Sequence, residues 1–284
     1  MKRLTATILT IMALSLLIGC SQGEKKVMLR YRYEPGTKLA YLQIAKRKSQ
    51  VVQADSTIKE STGSFEVRIE QLVKQVFPDS TAEVDESATW VFEKPNKEDT
   101  TIIDTVEQNR RMVFRVSPRG KVLDIKFTGD EGYTSIQYIK NFYEQGMPVF
   151  PAREQSPGDS WTQTTRVILP GEAMEASMTY TVLSLAREAG YDCAVIESEG
   201  NMVLPIESQP QDSVQRSGLD RISSSGVFYF AYREGLVVLQ RERWTIDRER
   251  TTTCTEETKE YRETVELDIE FALKERSVVD SLTH

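Results

Sequence analysis

The chain has 284 residues, 43 acidic and 36 basic side chains, and a net charge of −7 at pH 7. An acidic chain is a poor partner for nucleic acid, which rewards clustered Lys and Arg. The single histidine is His284, the last residue, so a Ser-His-Asp triad, a Cys-His pair or a His-rich zinc site would need the C-terminal tail to take part.

At the N-terminus, Lys2 and Arg3 precede an uncharged, apolar run from Leu4 to Gly19. That run is short for a membrane span, which needs roughly 20 residues, and suits the apolar region of a secretory signal. It ends in Leu17-Ile18-Gly19-Cys20, which resembles the bacterial lipobox. The resemblance implies cleavage before Cys20, a diacylglycerol on its sulfur, and a lipid bilayer as the first partner. Ser21 follows, where an Asp would be the familiar inner-membrane retention signal, so the expected location is the outer membrane, facing periplasm or surface. Removing residues 1–19 takes away Lys2 and Arg3 and no acid, which moves the net charge to about −9.

Beyond the anchor, period two dominates, the signature of half-buried antiparallel strands. Leu29, Tyr31 and Tyr33 predict a first strand, and Phe65, Val67 and Ile69 another. Ala82, Val84, Ala88, Trp90 and Phe92 alternate with polar residues, with Glu86 as the exception. Trp244 and Ile246 share a face opposite Arg241, Arg243 and Asp247. The clearest strand is Val265, Leu267, Ile269, Phe271 and Leu273, interleaved with Glu266, Asp268 and Glu270. Turns fall at Pro35-Gly36, Pro78-Asp79, Pro118-Arg119-Gly120, Pro157-Gly158 and Arg233-Glu234-Gly235. The polar stretch Gln209–Ser225 reads as a loop or short helix.

One segment breaks the rhythm. Tyr133, Ile136, Ile139, Phe142 and Tyr143 recur three to four apart and predict a helix over 131–145, stopped by Gly146 and Pro148. Its apolar stripe is a candidate lid or ligand contact over an open sheet; the alternative is a permanent cap on the core.

Turns and strands recur in the same order after Pro35-Gly36 and after Pro157-Gly158. The expected fold is therefore mainly β and antiparallel, with two related curved sheets or half-barrels and one linking helix. The segments are a signal peptide (1–19), a lipidated tether (20–28), a first β-unit (29–128), a helix and linker (129–155), a second β-unit (156–276) and a tail (277–284).

The Ser156-Pro157-Gly158-Asp159-Ser160-Trp161 stretch resembles a family of uncharacterised bacterial outer-membrane lipoproteins. The resemblance implies an all-β fold and carries no activity. More loosely, a curved sheet with a covering helix is similar to the periplasmic lipoprotein-carrier and lipoprotein-receptor folds, an analogy of architecture alone.

Searching for chemistry yields little. Ser160 has no base, and no metal-ligand spacing or phosphate loop occurs, so no catalytic residue, metal or cofactor is expected. Arg241-Glu242-Arg243 and Arg248-Glu249-Arg250 read as a salt-bridged face or a ligand clamp. Trp90, Phe92, Phe114, Trp161, Phe228, Phe230 and Trp244 form a core or line an apolar pocket. Cys193 and Cys254 are either a disulfide, which export permits, or buried thiols. The functional expectation is non-enzymatic binding of a hydrophobic molecule or an envelope protein. The alternative is a structural or assembly subunit of an envelope complex, and an envelope hydrolase ranks third.

Overall fold

The computed structural model describes residues 25–53, 56–95, 103–127, 147–169, 172–207, 214–254 and 257–279. Alternation becomes strand almost throughout. The eleven strands are β1 (Thr37–Gln53), β2 (Ile58–Val76), β3 (Ala82–Pro95), β4 (Ile103–Val116), β5 (Val122–Phe127), β6 (Ser160–Leu169), β7 (Glu172–Glu188), β8 (Tyr191–Glu207), β9 (Val214–Ala231), β10 (Leu236–Cys254) and β11 (Glu257–Val278). In β11 the even positions carry the charge: Asp268 pairs with Arg243 at 2.8 Å and Glu270 with Arg241 at 3.0 Å, across to β10. The odd positions turn inward, with Val265 buried.

All strands belong to one antiparallel sheet in the order β5-β4-β3-β2-β1-β11-β10-β9-β8-β7-β6. This corrects the expectation of two sheets. Two meanders exist, but the first and last strands pair from Thr37↔Val278 to Gln53↔Tyr261 and fuse them through the middle. The edges are β5 and β6, which do not pair with each other. The expected helix over 131–145, with Tyr133, Ile136, Ile139, Phe142 and Tyr143, lies outside the described residues.

The stretch Gln209–Ser225, read as a loop or helix, instead supplies most of β9 from Val214 onward. Its Ser, Gly and Asp residues hide the strand because small and polar side chains occupy both faces. Backbone pairing to β8 and β10 holds it nonetheless, for example Gly218↔Ile206 and Gly218↔Arg250.

Leu29, Tyr31 and Tyr33 are extended but are not the first strand. Their segment crosses one end of the sheet, where the turns after β2, β4, β7 and β9 lie. Val27 exchanges two backbone hydrogen bonds with Gln155, at 2.9 and 2.8 Å. The Tyr31 N–H donates to Pro118 O in the β4–β5 turn, and the Arg32 N–H to Gly235 O in the β9–β10 turn. The linker before β6 crosses beside it, with the Phe150 N–H donating to Arg119 O. Two turn glycines permit these approaches. A Cβ on Gly120 would sit 2.5 Å from the Tyr31 ring, and one on Gly235 would sit 2.3 Å from Arg32 N. Both have positive φ as well, a conformation open to glycine.

The two meanders repeat each other in detail. In each, a Pro-Gly turn precedes the first strand: the Thr37 N–H donates to Glu34 O, and the Asp159 N–H to Ser156 O, both at 3.0 Å. The turn glycines then reach the next strand, Gly36 to Val73 O at 2.8 Å and Gly158 to Val182 O at 2.7 Å. Bulges fall on matching pairs, at Val73/Gln75 and Val182/Ser184, then at Arg115/Val116 and Val237/Leu239. A bulge sharpens local twist, so the two halves bend at the same places.

Two of the apolar clusters flank the site described below. One gathers Val182, Ile196, Phe228 and Phe230 around Tyr31 and Phe150; the other gathers Val73, Val84, Met112 and Phe114. Tyr33 packs against both.

Candidate functional site

Between the two clusters the sheet leaves a cavity of about 190 Å³. Leu39 and Tyr41 from β1, Ile69 and Val73 from β2, Val84 from β3, Phe114 from β4, Val237 from β10 and Phe271 from β11 form its apolar walls. Tyr31 and Tyr33 from the crossing segment close one side. Neighbouring inward positions put these side chains together because the register aligns them: Leu39 opposes Gln71, which opposes Glu86, and Tyr41 opposes Ile69. Tyr41 also stacks on Phe271, with ring centroids 4.5 Å apart.

Polar side chains line it as well, the charged ones being Arg32, Glu86, Glu234 and Arg276. Glu86, the exception in the β3 pattern, faces inward and is 2 % exposed; Gln71 Nε2 donates to its carboxylate at 2.7 Å. A second inward carboxylate, Glu242, accepts from Gln240 Nε2 at 2.7 Å and from Trp244 Nε1 at 3.0 Å. Burial pushes the Glu242 carboxyl above its ordinary range, and those two hydrogen bonds partly offset it. Burial likewise raises the phenols of Tyr31, Tyr33 and Tyr41, so these tyrosines keep their protons.

Toward the other end the interior turns ionic. Glu263 accepts from Ser49 Oγ, Arg47 and Arg248, each at 3.0 Å. Arg248 also lies 3.5 Å from Asp220, which pairs with Arg250 at 2.5 Å. The second of the two Arg-Glu-Arg runs is therefore inward and networked. The arginines of the first point outward, Arg241 on Glu270 and Arg243 on Asp268, and are mostly exposed, while Glu242 between them points inward.

Desolvation opposes ionisation of Glu263, yet the bonds from Arg248 and Ser49 and the charges of Arg248 and Arg47 together hold its carboxyl below its ordinary value. A carboxyl lowered on folding binds its proton more weakly when folded. Its stabilisation is present above the unfolded value, near pH 4.3, and is lost as pH falls through the folded value. Glu263→Gln is expected to cost about 1 kcal/mol at pH 7, since it leaves the partly exposed guanidiniums of Arg47 and Arg248 poorly matched. Parent and variant should converge in urea stability as pH drops below about 4. A constant gap from pH 7 to pH 3 would show that the carboxylate charge is not what holds the network.

The Pro-Gly-Asp-Ser-Trp stretch has a structural explanation. Asp159 Oδ2 accepts the Ser156 N–H at 2.8 Å and ties the turn. Trp161 then stacks on Tyr180 at 5.2 Å, with Phe150 6.0 Å away. Of the remaining aromatic set, Phe114, Phe228 and Phe230 are buried core. Trp90 lies under the Arg110 guanidinium at 5.0 Å, and Phe92 packs beside Phe65. Only Phe114 of this set lines the cavity.

Of the two alternatives for Cys193 and Cys254, a disulfide or buried thiols, Cys193 takes the second: it is a free, buried thiol. The register shows why. Cys193 pairs with Ala231 at the end of β9, and Cys254 with Val214 at its start. Roughly 56 Å of strand, at about 3.3 Å per residue, runs between those positions, and a bridge needs Cα atoms within about 7 Å. Burial raises the Cys193 thiol to about 11. Cys20 lies outside the described residues, as does the 133–143 stripe. The cavity residues Leu39, Gln71, Val84, Glu86 and Phe271 were not singled out from sequence as a site. The one signal for them was Glu86, a charge on an otherwise apolar strand face.

No family model and no curated protein matches this chain. The functional reading rests on its own residues.

Proposed function

We propose that this chain is a lipid-anchored, extracytoplasmic binding protein that takes a small hydrophobic molecule into the curl of its sheet, without catalysis. The observation that carries this reading is the apolar cavity between the two clusters, walled by strands from both meanders. Its size favours a small ligand: an engineered apolar cavity of about 150 Å³ binds benzene. The exposed large apolar residues point the same way. Ile44, Ile58, Leu123, Leu183, Val203 and Val278 sit on six different strands, a poor basis for a continuous assembly surface. The lipobox supplies the anchor, and outer-membrane placement follows from Ser21.

Mass spectrometry of organic extracts from the protein purified out of its native envelope tests the reading. A small apolar compound near one equivalent is expected from the parent. It should be lost from Leu39→Trp, which fills the cavity from β1. Extracts that are empty, or equal for parent and variant, would refute it.

A further inference from the structure

The repeat leaves one position unfilled. β1 to β5 and β6 to β10 correspond strand for strand. β1 and β6 each follow a Pro-Gly turn. The bulges between β2 and β3 match those between β7 and β8, and the bulge between β4 and β5 matches that between β9 and β10. β11 is the strand left over. It lies along the open flank of β1 and pairs antiparallel with all of it, from Thr37↔Val278 to Gln53↔Tyr261. β6 is the counterpart of β1, and its corresponding flank is an edge of the sheet. Among the described residues β6 pairs with β7 alone, in an unbroken register from Ser160↔Thr181 to Leu169↔Glu172.

The two edges differ. β5 has 6 residues, carries the exposed charges Asp124 and Lys126, and meets a bulge at Arg115/Val116. Short length, charge and bulges are how sheets keep a further strand from adding at their margins. β6 lacks these devices. It has 10 residues, no Pro, no Lys, no bulge against β7 and a single charge at Arg166. Its β-branched residues, Thr162, Thr164, Thr165, Val167 and Ile168, suit a paired strand. About half of its backbone N–H and C=O groups point away from β7, as on any antiparallel edge.

We propose that β6 is a dimerisation edge. It pairs antiparallel with β6 of a second copy, in the position that β11 takes on β1, and joins two sheets about a two-fold axis. The strand is its own complement. Opposed residues must share a face, so a two-fold pairing centres on one residue. Centring on Thr164 sets Gln163 opposite Thr165, Thr162 opposite Arg166 and Trp161 opposite Val167. The two Arg166 positions then stand about 13 Å apart along the strands, at roughly 3.3 Å per residue. Centring on Thr165 instead makes them diagonal neighbours, where like charges repel. Thr162 and Thr164 are exposed on the outer face, with hydroxyls 3.4 Å from Thr179 Oγ1 and 3.3 Å from Ser177 Oγ. The centre of the pairing is therefore uncharged and free of bulk.

Sedimentation equilibrium of the full-length chain in detergent micelles tests this. The parent is expected to interconvert between monomer and dimer. Thr164→Lys and Thr164→Glu each set like charges across the axis, and each should raise the dimer dissociation constant about tenfold or more. Mixing the two variants in equal amounts should restore the dimer, because Lys then faces Glu. A parent that stays monomeric would overturn the pairing and leave the binding reading untouched. Dimers indifferent to both charges, or variants that stay apart on mixing, would place the contact elsewhere and overturn it as well. Growth past the dimer would show β6 joined to a different edge, with the same consequence.

Discussion

Truncating Phe230 to alanine is expected to lower the unfolding free energy by about 4 kcal/mol. Phe230 is 0 % exposed and sits where the sheet and the two crossing segments meet. Its ring lies 4.5 Å from Phe150 in the linker and 5.2 Å, edge to face, from Tyr31. Aromatic pairs of this kind contribute about 0.5–1.5 kcal/mol beyond the area they bury. The neighbours cannot close the gap. Ala194 on β8 is small, and Tyr31 is pinned by its backbone bond to Pro118. Phe65→Ala is the control: Phe65 is half-buried and touches Phe92 at 5.9 Å, so about 1–2 kcal/mol is expected there. Urea unfolding of both variants checks the contrast. A loss at Phe230 no larger than that at Phe65 would show that the crossing segments are not seated on this ring.

Replacing Cys20 with alanine is expected to move the protein from the membrane pellet to the soluble fraction. The stretch Leu17-Ile18-Gly19-Cys20 resembles a lipobox, and under the proposed lipidation of Cys20 each buried CH₂ would contribute about 0.8 kcal/mol to anchoring. Two or more chains hold firmly where one does not. Fold and anchor should separate cleanly, because Val27 is already bonded to Gln155. Cell fractionation and fatty-acid labelling read the outcome. A Cys20→Ala protein that stays in membranes, with no label on the parent, would sink the anchor.

Legibility followed physics. β11 was plain in the sequence because from Val265 to Phe271 its outer face is charged and its inner face apolar, so period two is uninterrupted there. β9 was hidden because its pairing is made by backbone, while Ser223, Ser224, Ser225 and Gly226 give no contrast between faces. Leu29 and Tyr31 alternate like a strand because an extended segment buried on one side obeys the same rule whether or not a sheet pairs with it. The fusion of two meanders into one sheet depends on β1 meeting β11, which no local pattern announces. The cavity was invisible for the same reason: Thr37 and Glu234 are unremarkable turn-flanking residues until the long-range register brings both to it.

That join between β1 and β11 also sets the order of events when the chain folds. Its partners, such as Thr37 and Val278, stand at opposite ends of the sequence, so contact order is high at the centre of the sheet rather than at its margins. Loop closure must be met before that pairing returns anything, which makes it a slow step. Until the last strand arrives, β1 presents a long row of unsatisfied backbone groups, the kind of template on which chains aggregate. A chain still emerging from a ribosome or translocase has two half-sheets, each with an open flank, and none of its earlier strands can close them. Removing β11 therefore opens the middle of this protein, whereas removing β5 would only shorten one side.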